Sequence, residues 1–241
     1  MTLDFLKSAF LLLLLSAGFP NETKAQESEV LIRMDTTCFI LGTLSEYMGR
    51  FQYVDKKNQI DKYFPYERPM MKYLTSLMKS HFKTKPATKK LNTFSKGIAV
   101  VLNSYFDRDG LLVDSLFDTP EKALSYLTGR YYRYGERIGG SIFKIQMSNS
   151  PNIRTCGYLL TRSDCTPIRF KHLNNIPAQF IYYFKATDSL KLYFGLIAKQ
   201  KECLDDSFDE FMKTMVGAEN FNNRKIALEK ENLEIVNALD E

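Results

Sequence analysis

The chain has 241 residues, 44% of them hydrophobic, with a formal net charge of +5. That length suits one large domain or two small ones, with a single core the simpler case. A positive surplus this small is weak support for any polyanionic partner, and together with the compartment read below it sets the expectation of no nucleic-acid partner.

Lys7 precedes an apolar run from Ala9 to Phe19 that is short for a membrane span of about 20 residues but fits the core of a signal segment. Thr23-Lys24-Ala25 then supplies a small-x-small cleavage site, so residues 1–25 read as a signal peptide and the mature chain begins near Gln26. The expected destination is secreted or periplasmic, with no stable membrane insertion after cleavage and residues 26–241 forming a single domain. Export gives the four cysteines a role. Two disulfides are expected, Cys156 with Cys165 and Cys38 with Cys203, the rival being four free buried thiols.

From Ser28 to Arg50, Met34, Cys38, Leu41 and Met48 recur at helical spacing, and Met70, Tyr73, Leu74, Leu77, Met78 and His81 do so again between Pro65 and Lys83. Lys83 to Lys90 is a basic surface loop. A third helix is predicted over Asn92–Phe106, stopped by Asp107-Arg108-Asp109-Gly110; that turn has part of a calcium-loop pattern, but its glycine comes early and the twelfth position is Asp118. Leu111–Phe117 fits a short strand. Thr119-Pro120-Glu121 opens a helix with a cap, a first-turn proline and an early acid. The run Arg130-Tyr131-Tyr132-Arg133-Tyr134-Gly135 either continues that helix or begins a strand.

Between Ser141 and Lys199 four runs alternate with a period of two: Phe143, Ile145 and Met147; Cys156, Tyr158 and Leu160; Phe180, Tyr182 and Phe184; Leu190, Leu192, Phe194 and Leu196. They predict an antiparallel meander of about four strands. A helix led by Asp205-Asp206 and a charged C-terminal helix within residues 218–241 follow, and no internal repeat is visible. The fold class is therefore α+β, with N-terminal helices packed on the sheet and C-terminal helices flanking it. The order of helix, short strand, helix and meander over residues 92–199 is similar to that of the cone-shaped NTF2-like domains, a likeness of topology that implies no site residues.

Arg130, Arg133 and Arg137, interleaved with tyrosines, form the densest cationic and aromatic group, able on a helix to clamp a small anionic ligand; the alternative is a solvated face. Tyr182 joins them as a ligand-binding candidate, in a pocket with Tyr158, Phe184 and Phe194. For catalysis the candidates are His172 with Cys156 or Cys165, although no nucleophile motif surrounds them, and no CxxC, HExxH or GxSxG occurs. No cofactor or metal is implied. The expectation is an exported, non-enzymatic binding or interaction module for a protein or a small anionic or aromatic ligand, with a secreted Cys/His hydrolase or an exported effector as alternatives.

Overall fold

The computed structural model describes residues 32–45 and 58–240. The expected signal peptide and the continuation of the first helix to Arg50 lie outside the described residues. Helix α1, Thr36–Thr43, starts where the Asp35 side chain accepts from Cys38 N at 2.8 Å. Every residue from Cys38 to Thr43 is buried, so α1 is an interior helix rather than an amphipathic one. Strand β1, Gln59–Lys62, leads to α2, Arg68–Phe82, which buries Met70, Leu74 and Met78, four residues apart. Strands β2, Ala87–Lys89, and β3, Asn92–Phe94, complete an antiparallel sheet of order β1-β3-β2, and α3, Lys96–Asn103, follows behind its Ser95 cap.

The second half opens with α4, Pro120–Tyr134, capped by Thr119. Strands β4, Gly135–Gly139, and β5, Ile142–Ser148, precede α5, Ile153–Arg162, and strands β6, Ile168–Leu173, and β7, Gln179–Lys185, precede α6, Asp188–Gly195. This sheet is antiparallel with order β4-β5-β7-β6. Helices α7, Ala198–Val216, and α8, Ala218–Asp240, end the chain.

The two halves repeat one plan. In each a helix comes first and the last strand lies between two earlier ones: β3 between β1 and β2, β7 between β5 and β6. The opening helices share a short pattern, Phe39-Ile40-Leu41-Gly42 in α1 and Tyr126-Leu127-Thr128-Gly129 in α4. They cross at their glycines: a Cβ on Gly42 would stand 2.9 Å from Gly129 Cα, and a Cβ on Gly129 would stand 2.9 Å from Gly42 Cα. The expectation of no internal repeat is corrected by this pairing, which survives in chain order and two glycines rather than in a readable run of identities.

The α+β class holds, with eight helices and antiparallel sheets of three and four strands among the described residues. The uninterrupted meander does not, and with it goes the order expected of an NTF2-like domain. Cys156–Leu160 lies in α5, whose buried residues Ile153, Cys156, Leu159 and Leu160 have helical spacing. Leu190 and Phe194 are four apart on α6, where Thr187 Oγ1 accepts from Leu190 N as a cap instead of turning a hairpin. Strand β4 begins at Gly135, directly after α4, and β6 falls in a segment for which the sequence predicted no strand. Leu111–Phe117 makes only a bridge from Leu112 to Phe106 and a 3-10 turn over Asp114–Phe117.

Candidate nucleic-acid interface

The four-stranded sheet has two chemically distinct faces, fixed by the β5–β7 and β6–β7 registers. Phe143, Ile145, Met147, Phe180, Tyr182 and Phe184 point to the helices of the main core. Residues of opposite parity form the outer face: Ile142 opposite Lys185, Lys144 opposite Tyr183, Gln146 opposite Ile181, with Arg169 opposite Tyr183 and Lys171 opposite Ile181 on the edge strand β6. Lys144, Arg169, Lys171 and Lys185 therefore share one face of the sheet, on which the described strand residues carry a single acid, Glu136, paired with Lys144 at 2.7 Å. The equivalent edge in the first half, β2, is exposed throughout, Lys89 included, and is flanked by exposed Lys83, Lys85 and Lys90.

Helix α8 lies on part of that outer face. Ile235 and Leu239 pack on Ile142, Ile181 and Tyr183 in a small apolar cluster separate from the main core, with Val236 at its margin. Glu231 reaches Lys171 Nζ at 2.5 Å. Between the sheet, α7 and α8 a cavity of about 880 Å³ remains, lined among others by Tyr66, Arg133, Lys144, Gln146, Lys201 and Asn232. Asn232 is buried there, and its Oδ1 accepts no hydrogen bond among the described residues.

Sequence reasoning placed the site on the arginine-tyrosine run. Helix α4 ends at Tyr134, so Arg137 stands on β4, where it donates to Gly140 O, and does not align with Arg130 and Arg133. Arg133 is an internal strut. Its Nε donates to Glu67 Oε1, Nη1 to Thr43 O and Asp61 Oδ2, and Nη2 to Lys62 O and Glu67 Oε2, all at 2.7–2.8 Å, which uses all five of its N–H donors. Burial opposes the charge, but Glu67 and Asp61 hold the guanidinium well above its ordinary value. Arg130 is fully buried, with Nε donating to Tyr126 Oη at 2.8 Å. The expected aromatic pocket is dispersed: Phe184 and Phe194 belong to the core, Tyr158 is exposed on α5, and the Tyr182 hydroxyl rests against Gly157. Sequence reasoning missed Arg169, Lys171 and Lys185; the signal that finds them is the odd-numbered cations of two runs whose even positions are aromatic, visible once both runs are known to be strands.

No family model and no curated protein matches the chain. Among solved structures it is similar to I-DmoI in complex with DNA and Mn, at 10% identity and a TM-score of 0.43 over 65% of this chain and 92% of that one. It is similar also to full-length DUF199/WhiA from Thermatoga maritima, at 14% identity and 0.43 over 80% of this chain and 67% of that one. Likenesses this distant assign no activity.

Several expectations are corrected. None of the four cysteines is in a disulfide: Cys38, Cys156 and Cys165 are buried in the main core while Cys203 is exposed on α7, so neither expected disulfide forms. The secreted or periplasmic assignment thereby loses the staples it explained. The exported binding module and the exported effector lose the same support, and the exclusion of nucleic acid rested on a small net charge that the cationic sheet face does not share. The hydrolase alternative has no reacting pair. His172 stacks on Phe180 on the edge strand, with ring centroids 4.8 Å apart, whereas Cys156 is buried in α5 and burial pushes the Cys165 thiol up.

Proposed function

We propose that the chain binds nucleic acid through the outer face of its four-stranded sheet, with the β2 edge of the first half as a second contact. The observation that carries this reading is the clustering of buried Lys144 with Arg169, Lys171 and Lys185 on one face of the sheet, where the described strand residues contribute one acid, Glu136. The small net charge conceals it. Residues 198–241 hold 6 Lys and Arg against 11 Asp and Glu, whereas residues 1–197 hold 27 against 17. Residues 1–197 thus carry +10, and the acidic C-terminal segment halves the total to +5. Lysines and arginines in a strand row bind phosphates by charge and counterion release, without a preformed pocket. Double-stranded nucleic acid is the favoured class, because two halves of one plan offer two equivalent cationic edges to a ligand with its own twofold character.

Fluorescence anisotropy with a labelled DNA duplex of about 20 base pairs tests this. The expected result is binding that weakens steeply with salt, and a shallower slope, by about one per charge removed, in Arg169→Ala and Lys171→Ala. Both positions are solvent-accessible, so the variants fold. Binding that ignores salt, or that the double variant leaves unchanged, removes the sheet face as the site.

A further inference from the structure

Resting on that reading, we propose that helix α8 is a built-in cover that occupies the outer face of the sheet and must be displaced before nucleic acid can engage it. Three independent features of α8 point this way. The first is charge. From Glu229 onward the sequence holds Glu229, Glu231, Glu234, Asp240 and Glu241 against Lys230 alone, and this is the segment whose Glu231, Ile235 and Leu239 meet the sheet. Glu231 sits on Lys171, where a phosphate would sit.

The second is the lightness of the attachment. Apart from Phe221, Asn232, Ile235 and Leu239, with Glu231 and Val236 half-buried, the described side chains of α8 are exposed, among them Ile226 and Leu233. The buried Asn232 Oδ1 without a hydrogen bond and the 880 Å³ cavity beside it mark an incompletely closed interface. Elements held by few buried apolar contacts open at low free energy, without unfolding of the rest.

The third is the joint. Helix α7 is anchored to the body through Leu204, Lys201 and the rings of Phe208 and Phe211 against Tyr66, at 5.1 and 5.6 Å. Helix α8 begins one residue after α7 ends. The linker is Gly217 at φ +83°, whose absent Cβ would meet nothing within 4 Å. Rotation about one unobstructed glycine can lift α8 while α7 stays in place.

The geometry supplies its own test. An ideal Cβ on Gly139 of β4 lies 3.9 Å from Val236 Cβ of α8, inside the range of about 3.5–4.5 Å that a disulfide spans. In the full chain carrying Cys203→Ser, the pair Gly139→Cys and Val236→Cys staples the cover shut when oxidised and frees it when reduced. With the labelled duplex, the oxidised form is expected to bind at least tenfold more weakly than the same protein after dithiothreitol. Val236→Asp, which loosens α8 without touching the main core, is expected to bind tighter than the parent chain. Equal affinity in both redox forms, with Arg169→Ala still weakening binding, overturns the cover and leaves the sheet face standing. Absence of binding in the stapled, reduced and Val236→Asp proteins alike overturns both readings.

Discussion

Gly42 of α1 and Gly129 of α4 touch backbone to backbone, each standing where the other's Cβ would have to go. This contact lets the two opening helices cross closely enough for residues of one half to reach the other: Asp35 N donates to Ser125 Oγ at 2.8 Å, and Arg133 Nη1 donates to Thr43 O. Because the obstructing atoms are main chain, they cannot swing aside. Gly42→Ala or Gly129→Ala is expected to lose about 3 kcal/mol or more, read as a lower urea midpoint. Gly97→Ala is the control: its Cβ would meet nothing within 4 Å, and helix propensity favours alanine there by up to about 1 kcal/mol.

The Arg133 strut gives a second prediction. Its guanidinium and the carboxylates of Asp61 and Glu67 have side chains no more than 3% exposed, so removal of one member leaves uncompensated charge in the interior. Arg133→Met is expected to destabilise by about 3–5 kcal/mol in equilibrium unfolding. Adding Asp61→Asn and Glu67→Gln should recover part of the loss, since neutral amides are cheaper to bury than orphaned carboxylates. Should the triple variant prove less stable than Arg133→Met, the charge argument fails. An effect of Arg133→Met on nucleic-acid binding at matched folded fraction is not expected.

Some helices were legible from the sequence: Thr119-Pro120-Glu121 begins α4 as read, and the Met70, Leu74 and Met78 spacing lies in α2. Short apolar runs were not. Leu190, Leu192 and Phe194 satisfy period two, but Leu190 and Phe194 equally satisfy i, i+4, and the deciding residue is the Thr187 cap. Strand β6 escaped notice because half of Ile168-Arg169-Phe170-Lys171-His172-Leu173 is polar, as suits an exposed edge. The cationic face was hidden for the same reason, its members lying on two strands of which one was unrecognised. The arginines that did stand out, Arg130 and Arg133, are buried on α4, and the carboxylates that neutralise Arg133, Asp61 and Glu67, come from the first half of the chain. The repeat was invisible because it lives in the order of elements and in one glycine per helix.

The four cysteines, none of them in a disulfide, separate cleanly by environment. Cys203 is exposed, while Cys38, Cys156 and Cys165 are no more than 1% exposed. Burial, and then Asp35, push the Cys38 thiol far up, and burial raises Cys165. Because the thiolate is the nucleophile, iodoacetamide at pH 8 is expected to modify one cysteine per native chain, mapped by mass spectrometry to Cys203, and all four in urea. Rapid native modification of Cys156 or Cys165 would show that the α5 core is looser than the structure has it.

Alkali should unfold the protein through its tyrosines. Tyr131 is stacked on Phe194 at 4.0 Å, and burial, then Asp205, push its phenol up to about 12; burial likewise takes Tyr134 to about 12 against the lowering effect of Arg133 and Arg130. In the unfolded chain a tyrosine titrates near pH 10. Between about pH 10 and 12 the unfolded state therefore holds fewer protons than the native one, and stability falls as pH rises; below about pH 10 both states are protonated and this contribution is flat. Tyr131 alone removes about 1.4 kcal/mol per pH unit in that window. Urea denaturation at pH 9 and 11 should reveal the loss, and the phenolate absorbance should appear in the same step as loss of native structure. Tyr131→Phe should flatten the decline by that amount; a slope unchanged by the substitution would mean that water already reaches the hydroxyl in the native state.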